Sequence, residues 1–197
     1  MQQITIRPAV PGDEEALAHV HVAAWQTAYR GILPNAFLEN LSVATRVERW
    51  RERLAHPGEG EFSFVAQATG KDGHASIIGF ASGGPEREGF VGADRTRYDG
   101  EVYAIYLLAE WRRRGVGHRL VTPSAQALID GGFQSVVIWV LKDNANARRF
   151  YEALGGLLAG EKPITIGQTA LTEVAYGWPD TREILASAQR HEGGKTR

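Results

Sequence analysis

Apolar residues alternate at Ile4 and Ile6 until Pro8 closes the run, which predicts a short first strand. The acids Asp13, Glu14 and Glu15 then open a helix carrying Leu17, Val20, Ala24 and Ala28 at helical spacing. Gly31 and Pro34 stop it, and Ser42 is the N-cap of a second helix through Val43, Val47, Trp50 and Leu54. Phe62 to Ala66 and Ser76 to Ala81 read as two antiparallel strands of one hairpin, joined across Gly70 to Gly73. A glycine-rich, charged stretch from Gly83 to Gly100 reads as a mobile surface loop. The strand Glu101 to Leu108 follows, then a helix to about Asp130 that ends at Gly131-Gly132. Val136 to Leu141 is continuously apolar, as a central strand covered on both faces must be. Asn144 begins another helix, closed by Gly155-Gly156, and Ile164 to Ile166 with Leu171 to Tyr176 gives a last strand pair.

The mixture of strands and helices sets an α/β (α+β) class. With 197 residues, 43% of them hydrophobic, the chain suits one compact core, assigned to residues 1–178. Residues 179–197 are assigned to a C-terminal helix that fades into a polar, disordered tail. A net charge of -1 provides no global basic field, so neither nucleic acid nor a membrane surface is the expected partner. There is no cysteine, hence no disulfide and no thiolate nucleophile, and the N-terminus lacks the pattern of a secretion signal. A cytoplasmic location follows as the expectation. The six histidines are scattered and none pairs with an acid at metal-ligand spacing, so no metal is expected.

Two constellations carry chemistry. Arg112-Arg113-Arg114-Gly115-Val116-Gly117 follows a strand and opens a helix, where backbone N–H groups and the helix dipole suit a pyrophosphate. Glycine there permits close approach of phosphate, and Arg112, Arg113, Arg114 and Arg119 add cationic reach. The dinucleotide fingerprint fails because Leu120 stands where its third glycine belongs, and a P-loop would need Gly-Lys-Ser/Thr. The second constellation runs from Asn144 to Glu152, with Asn144, Ala147 and Tyr151 on roughly one helical face. Ala147 lets a ligand chain pass, the Asn144 amide can bond it, and the Tyr151 phenol can donate a proton. The same residues also read as an N-cap and a core aromatic.

Through Arg112-x-x-Gly115-x-Gly117 and Asn144-x-x-Ala147-x-x-Phe150-Tyr151-Glu152-x-x-Gly155, the chain resembles the GNAT superfamily of N-acetyltransferases, and through Trp25-Gln26-Thr27-Ala28-Tyr29-Arg30-Gly31-Ile32-Leu33-Pro34 a bacterial branch of it whose acceptors are mostly unassigned. The resemblance implies a single domain with a mixed, mostly antiparallel sheet, splayed near its middle where acetyl-CoA inserts and flanked by helices. It implies that backbone groups of Ile105, Tyr106 and Leu107 bond the pantetheine arm and those of Arg112, Arg113, Arg114, Gly115, Val116 and Gly117 the pyrophosphate. It further assigns Asn144 and Ala147 to the cofactor, Tyr151 as the acid protonating the departing thiolate, and Glu101 as a candidate base. Tyr103 and Tyr106 are secondary candidates to orient a water, with Tyr103 also on the acceptor side, and Trp25 and Tyr29 would wall the acceptor pocket. Relatives that acetylate protein N-termini place a glutamate where Trp139 stands here, which disfavours that acceptor.

The reaction so implied is direct attack of a primary amine of a small molecule or peptide on the thioester. A non-catalytic acyl-CoA sensor, a protein N-terminal or lysine acetyltransferase and a nucleotide-binding protein are the rival readings, and a homodimer is compatible with the fold. The chain departs from the family pattern at Ala109, Gly156 and Pro123. A proline inside a helix predicts a kink near Arg119 or a restart with Thr122 as N-cap.

Overall fold

The computed structural model describes residues 3–193. Its seven strands are β1 (Gln3–Pro8), β2 (Phe62–Thr69), β3 (Ala75–Pro85), β4 (Gly100–Leu107), β5 (Val136–Leu141), β6 (Leu157–Ile166) and β7 (Thr169–Trp178). The helices are α1 (Glu14–Ala28), α2 (Asn35–Glu39), α3 (Val43–Ala55), α4 (Val116–Asp130), α5 (Ala145–Ala153) and α6 (Thr181–Gly193). All seven strands form one sheet in the order β1-β2-β3-β4-β5-β7-β6. Every neighbour pairs antiparallel except β4 and β5, which run parallel.

That parallel contact decides the architecture. Only Gly100↔Val136 and Glu101↔Val137 are in register, so β4 and β5 touch at their first residues and then part. From Val102 onward β4 keeps β3 on one side, out to Leu107. Its other edge is left without a strand partner. A bulge where β3 shifts between Ser82 and Gly83 leaves Tyr103 as the extra residue of β4, just beyond the point of parting, and such bulges bend a strand and re-aim its side chains.

Two helical layers cover the sheet, as the alternation of apolar side chains requires. On one face α1 and α3 bury Leu17, Ala18, Val20, Val47 and Trp50 against Val65 and Phe80. On the other, Val116 and Leu120 of α4 meet Ala66, Ala68 and Ile78, while Val121, Ala125 and Leu128 pack with Val136, Ile138 and Val140 of β5. Ile184 and Ala188 of α6 join this same cluster, so the C-terminal helix completes the core; the last four residues of the expected tail lie outside the described residues.

Ser42 caps α3 by accepting from Thr45 N at 3.1 Å, and Asn144 caps α5 by accepting from Ala147 N at 3.2 Å. Several expectations need correction. α4 runs unbroken from Val116 to Asp130 with Pro123 inside it, so Thr122 does not start a new helix. Pro123 offers no N–H to the Arg119 carbonyl, yet Leu120, Val121, Ala125 and Leu128, on both sides of it, are all anchored in the core. The hydroxyls of Thr122 and Ser124 donate instead to the carbonyls of His118 and Leu120, at 3.3 and 2.8 Å. The stretch from Gly83 is strand as far as Pro85, and the rest is tied down rather than loose. Glu86 accepts from the backbone N–H of Glu88 and Phe90, Ala93 N donates to Ala159 O at 2.8 Å, and Tyr98 is buried against Phe90. β6 and β7 are each longer than their sequence signals, and α2 carried no signal at all.

Candidate active site

The mouth of the gap between β4 and β5 faces the start of α4. Arg113, at φ +59°, and Gly115, at φ +84°, both adopt left-handed backbone conformations, and no side chain caps the helix. Among the described residues the N–H groups of Val116 and Gly117 have no acceptor, and they stand at the positive end of a 15-residue helix, an arrangement that fits a pyrophosphate. Gly117 also serves the packing of two helices. A Cβ there would meet the Phe150 ring at 3.2 Å, so this glycine lets α4 and α5 approach each other.

The arginines divide. Arg112 folds back on α1 and donates to Thr27 Oγ1 at 2.7 Å, and Arg119 donates to Ile4 O at 2.8 Å on the edge strand. Both guanidiniums are thus held by protein oxygens. Arg113 and Arg114 remain exposed, with Arg114 over the Trp111 ring at 5.3 Å.

Deeper in the gap stand the residues expected to meet the ligand chain. The free edge of β4 includes Ile105, Tyr106 and Leu107, whose backbone has no partner in β5. Across the gap, α5 presents Asn144, whose carbonyl oxygen is spent on the cap while its NH2 stays available, and Ala147, part-buried against the core. Tyr151 is 6% exposed, and its hydroxyl makes no hydrogen bond with the described residues. Burial, with Tyr106 nearby, pushes this phenol well above its ordinary range, so it stays protonated at neutral pH. The cap and core-aromatic readings of Asn144 and Tyr151 therefore both hold, and neither conflicts with ligand contact.

On the α1–α3 face, the Tyr29 and Tyr106 hydroxyls meet at 3.0 Å, and burial raises both phenols. Tyr29 also packs with Leu33, Leu38 and Leu141, which makes it a core residue. Trp25 lies edge-on to Tyr29 at 4.9 Å, with the Arg46 guanidinium over its own ring at 5.3 Å. Tyr103 donates to Pro85 O at 2.8 Å between Arg53 and Arg87, and burial pushes its phenol up to about 12.

Glu101 is neither a solvated edge residue nor a free carboxylate. It is 2% exposed, accepts from Arg87 Nε at 2.9 Å, and its second oxygen is also held by that guanidinium. One carboxylate on this face was not anticipated. Glu173 of β7, half-buried and without a hydrogen bond or ion pair among the described residues, lies opposite Leu141 in the ladder. Its only signal in the sequence is a charge inside a strand whose alternate positions, Val174, Tyr176 and Trp178, are all core.

An open sheet parted between two parallel strands, with an uncapped helix start at the mouth and a buried phenol beside the gap, is the frame of an N-acetyltransferase of the GNAT type. The model of the acetyltransferase (GNAT) family matches residues 22–156, and the chain belongs to that family. It is 37% identical over 187 residues to the "Uncharacterized N-acetyltransferase YuaI" of Bacillus subtilis, across 95% of this chain and 99% of that one. Its fold matches an N-acetyltransferase from Staphylococcus aureus with a TM-score of 0.66 at 18% identity, covering 91% of this chain and 99% of that one. The PaiA N-acetyltransferase of Thermoplasma acidophilum, solved in complex with coenzyme A, gives a TM-score of 0.61 at 19% identity over 87% of this chain and 98% of that one. No helix among the described residues is long and apolar enough to cross a membrane.

Proposed function

We propose that the protein transfers the acetyl group of acetyl-CoA to a primary amine of a small molecule or peptide, by direct attack of the amine on the thioester. The observation that carries this reading is the parting of β4 from β5 after Glu101 and Val137, which leaves an unpaired backbone edge beside Tyr151 and below the uncapped start of α4. The bound donor supplies an activated acyl carbon and a thiolate leaving group. The protein does the rest. The β4 edge and the α4 N–H groups hold the chain of the donor in one register, the Asn144 amide steadies it, and Tyr151 presents a protonated hydroxyl to the departing sulfur.

Thiol release from acetyl-CoA over a panel of primary amines tests the activity, and failure of CoA to raise thermal stability rejects it. Tyr151→Phe is expected to lower kcat roughly 100-fold, in the range for a positioned proton donor, while CoA still protects the fold. Unchanged turnover in that variant removes the acid role. Protection by CoA with turnover of no amine points to the sensor reading instead.

A further inference from the structure

We propose that Glu173 is the carboxylate that receives the acceptor's ammonium group and takes its proton before attack; this inference rests on the acetyl-transfer reading above. Residues opposite one another in an antiparallel ladder share a face. Glu173 lies opposite Leu141 in β5 and Lys162 in β6, and Leu141 packs against Tyr29, whose hydroxyl meets that of Tyr106. The Glu173 charge bears on both phenols, and the neutral Tyr106 phenol is in turn a neighbour of Tyr151. Glu173, Tyr106 and Tyr151 thus lead from the acceptor face to the gap where the thioester would sit.

The charges around Glu173 do not balance. Two cations face it, and each already has a carboxylate: Lys162 is paired with Glu88, and Arg87 with Glu101. Arg46 of α3 lies over Trp25 and acts on Tyr106. Glu173 is the surplus anion of the cluster. Burial pushes its carboxyl above the usual range, with Lys162 opposing. A half-buried carboxylate without a partner is costly, and a substrate cation is the partner that removes the cost. The raised pKa also brings the group nearer to that of an effective base at neutral pH.

Glu173 removes one proton from R–NH3+ and passes it to solvent, and the free amine forms the C–N bond as the C–S bond breaks. The second nitrogen proton, shed as the amide forms, makes good the one that Tyr151 gives to the sulfur. Glu101, locked to Arg87, serves this by neutralising a guanidinium that would otherwise compete for Glu173.

Two thioethers test the inference without knowledge of the natural acceptor. S-(2-aminoethyl)-CoA carries an ammonium close to where the amine approaches, and S-propyl-CoA is its neutral counterpart of similar size. By calorimetric titration at about pH 8, the wild-type protein is expected to bind the ammonium probe about tenfold tighter, ~1.4 kcal/mol. Glu173→Gln should bind both probes equally, with its affinity for S-propyl-CoA unchanged, whereas Glu101→Gln, which frees Arg87 to compete for Glu173, should narrow the preference without abolishing it. In the wild type, the preference should vanish as the pH is lowered to about 4, where Glu173 is protonated and the ammonium is not altered; this comparison needs no variant to fold. A preference that survives Glu173→Gln, is lost in Glu101→Gln alone, or is absent from the wild type overturns the assignment. If neither thioether binds, it is the acetyl-CoA reading that fails, and the inference falls with it.

Discussion

The Arg87–Glu101 pair is lopsided, and the lopsidedness predicts which half the protein can lose. The Glu101 side chain is 3% exposed and that of Arg87 is 58% exposed. Arg87→Met keeps an apolar stem but strands a buried carboxylate. Leaving such a group unsatisfied costs about 2–3 kcal/mol, and the lost contact between the guanidinium and the Tyr103 ring at 4.2 Å adds about 0.5–1 kcal/mol. Glu101→Gln removes the buried charge, keeps an oxygen for Arg87, and leaves that guanidinium in reach of water, so its cost is about 1 kcal/mol or less. For a domain of this size the melting temperature should fall by roughly 6–12 °C in Arg87→Met and by no more than about 4 °C in Glu101→Gln. Differential scanning calorimetry measures both. The same Glu101→Gln protein separates two catalytic readings. A general base would cost a factor of roughly 100 or more, whereas a carboxylate that only neutralises Arg87 should cost less than about tenfold in kcat/KM. Equal destabilisation by the two substitutions would refute the argument from burial, and a loss of 100-fold or more in Glu101→Gln would return the base role to Glu101.

Two further outcomes follow from single residues. His21 sits among Trp25, Phe80 and Tyr106 with a buried, unpartnered Nδ1, and burial, aided by Arg46 and Arg49, lowers its pKa to about 3. The folded value lies below the unfolded one, so the stability that His21 contributes is present above about pH 6.5 and is lost as the pH falls toward 3. Chemical denaturation should show His21→Phe losing about 1–2 kcal/mol less than the wild type between about pH 7 and pH 5; parallel pH curves would show that the ring is not kept neutral by the fold. Pro123→Ala restores an N–H to face the Arg119 carbonyl within α4, and is expected to raise stability by about 1–2 kcal/mol, a part of the intrinsic cost of proline in a helix. A lower melting temperature would mean that Pro123 is fitted to the packing around Val121 and Ala125.

Legibility in the sequence tracked how local the determinant was. Val136 to Leu141 and the caps at Ser42 and Asn144 stand where the sequence predicts them, because unbroken apolar runs and side-chain capping act over a few residues. The five residues of α2 escaped because so short a helix cannot nucleate alone and forms only as Leu38 packs against Tyr29 and Leu33. The stretch after Pro85 read as mobile because its glycines and charges are turn formers, but Tyr98 and Glu86 anchor it through contacts distant in the chain or with neighbouring backbone. At the site, the phosphate turn and the Asn144 to Tyr151 helix were readable as motifs, each contiguous and each following a strand.

The sequence by itself determined most of the elements, the order of the two motifs and the family they belong to, since these rest on periodicity, caps and contiguous residues. Only the tertiary structure decided where the sheet opens, because the two-residue contact between β4 and β5 joins positions about 36 residues apart. It alone decided the state of the charges. A glutamate's desolvation and partners are properties of its neighbours in space, and the same side chain in Glu101 and Glu173 became a buried ion pair in one place and a half-buried anion without a partner in the other.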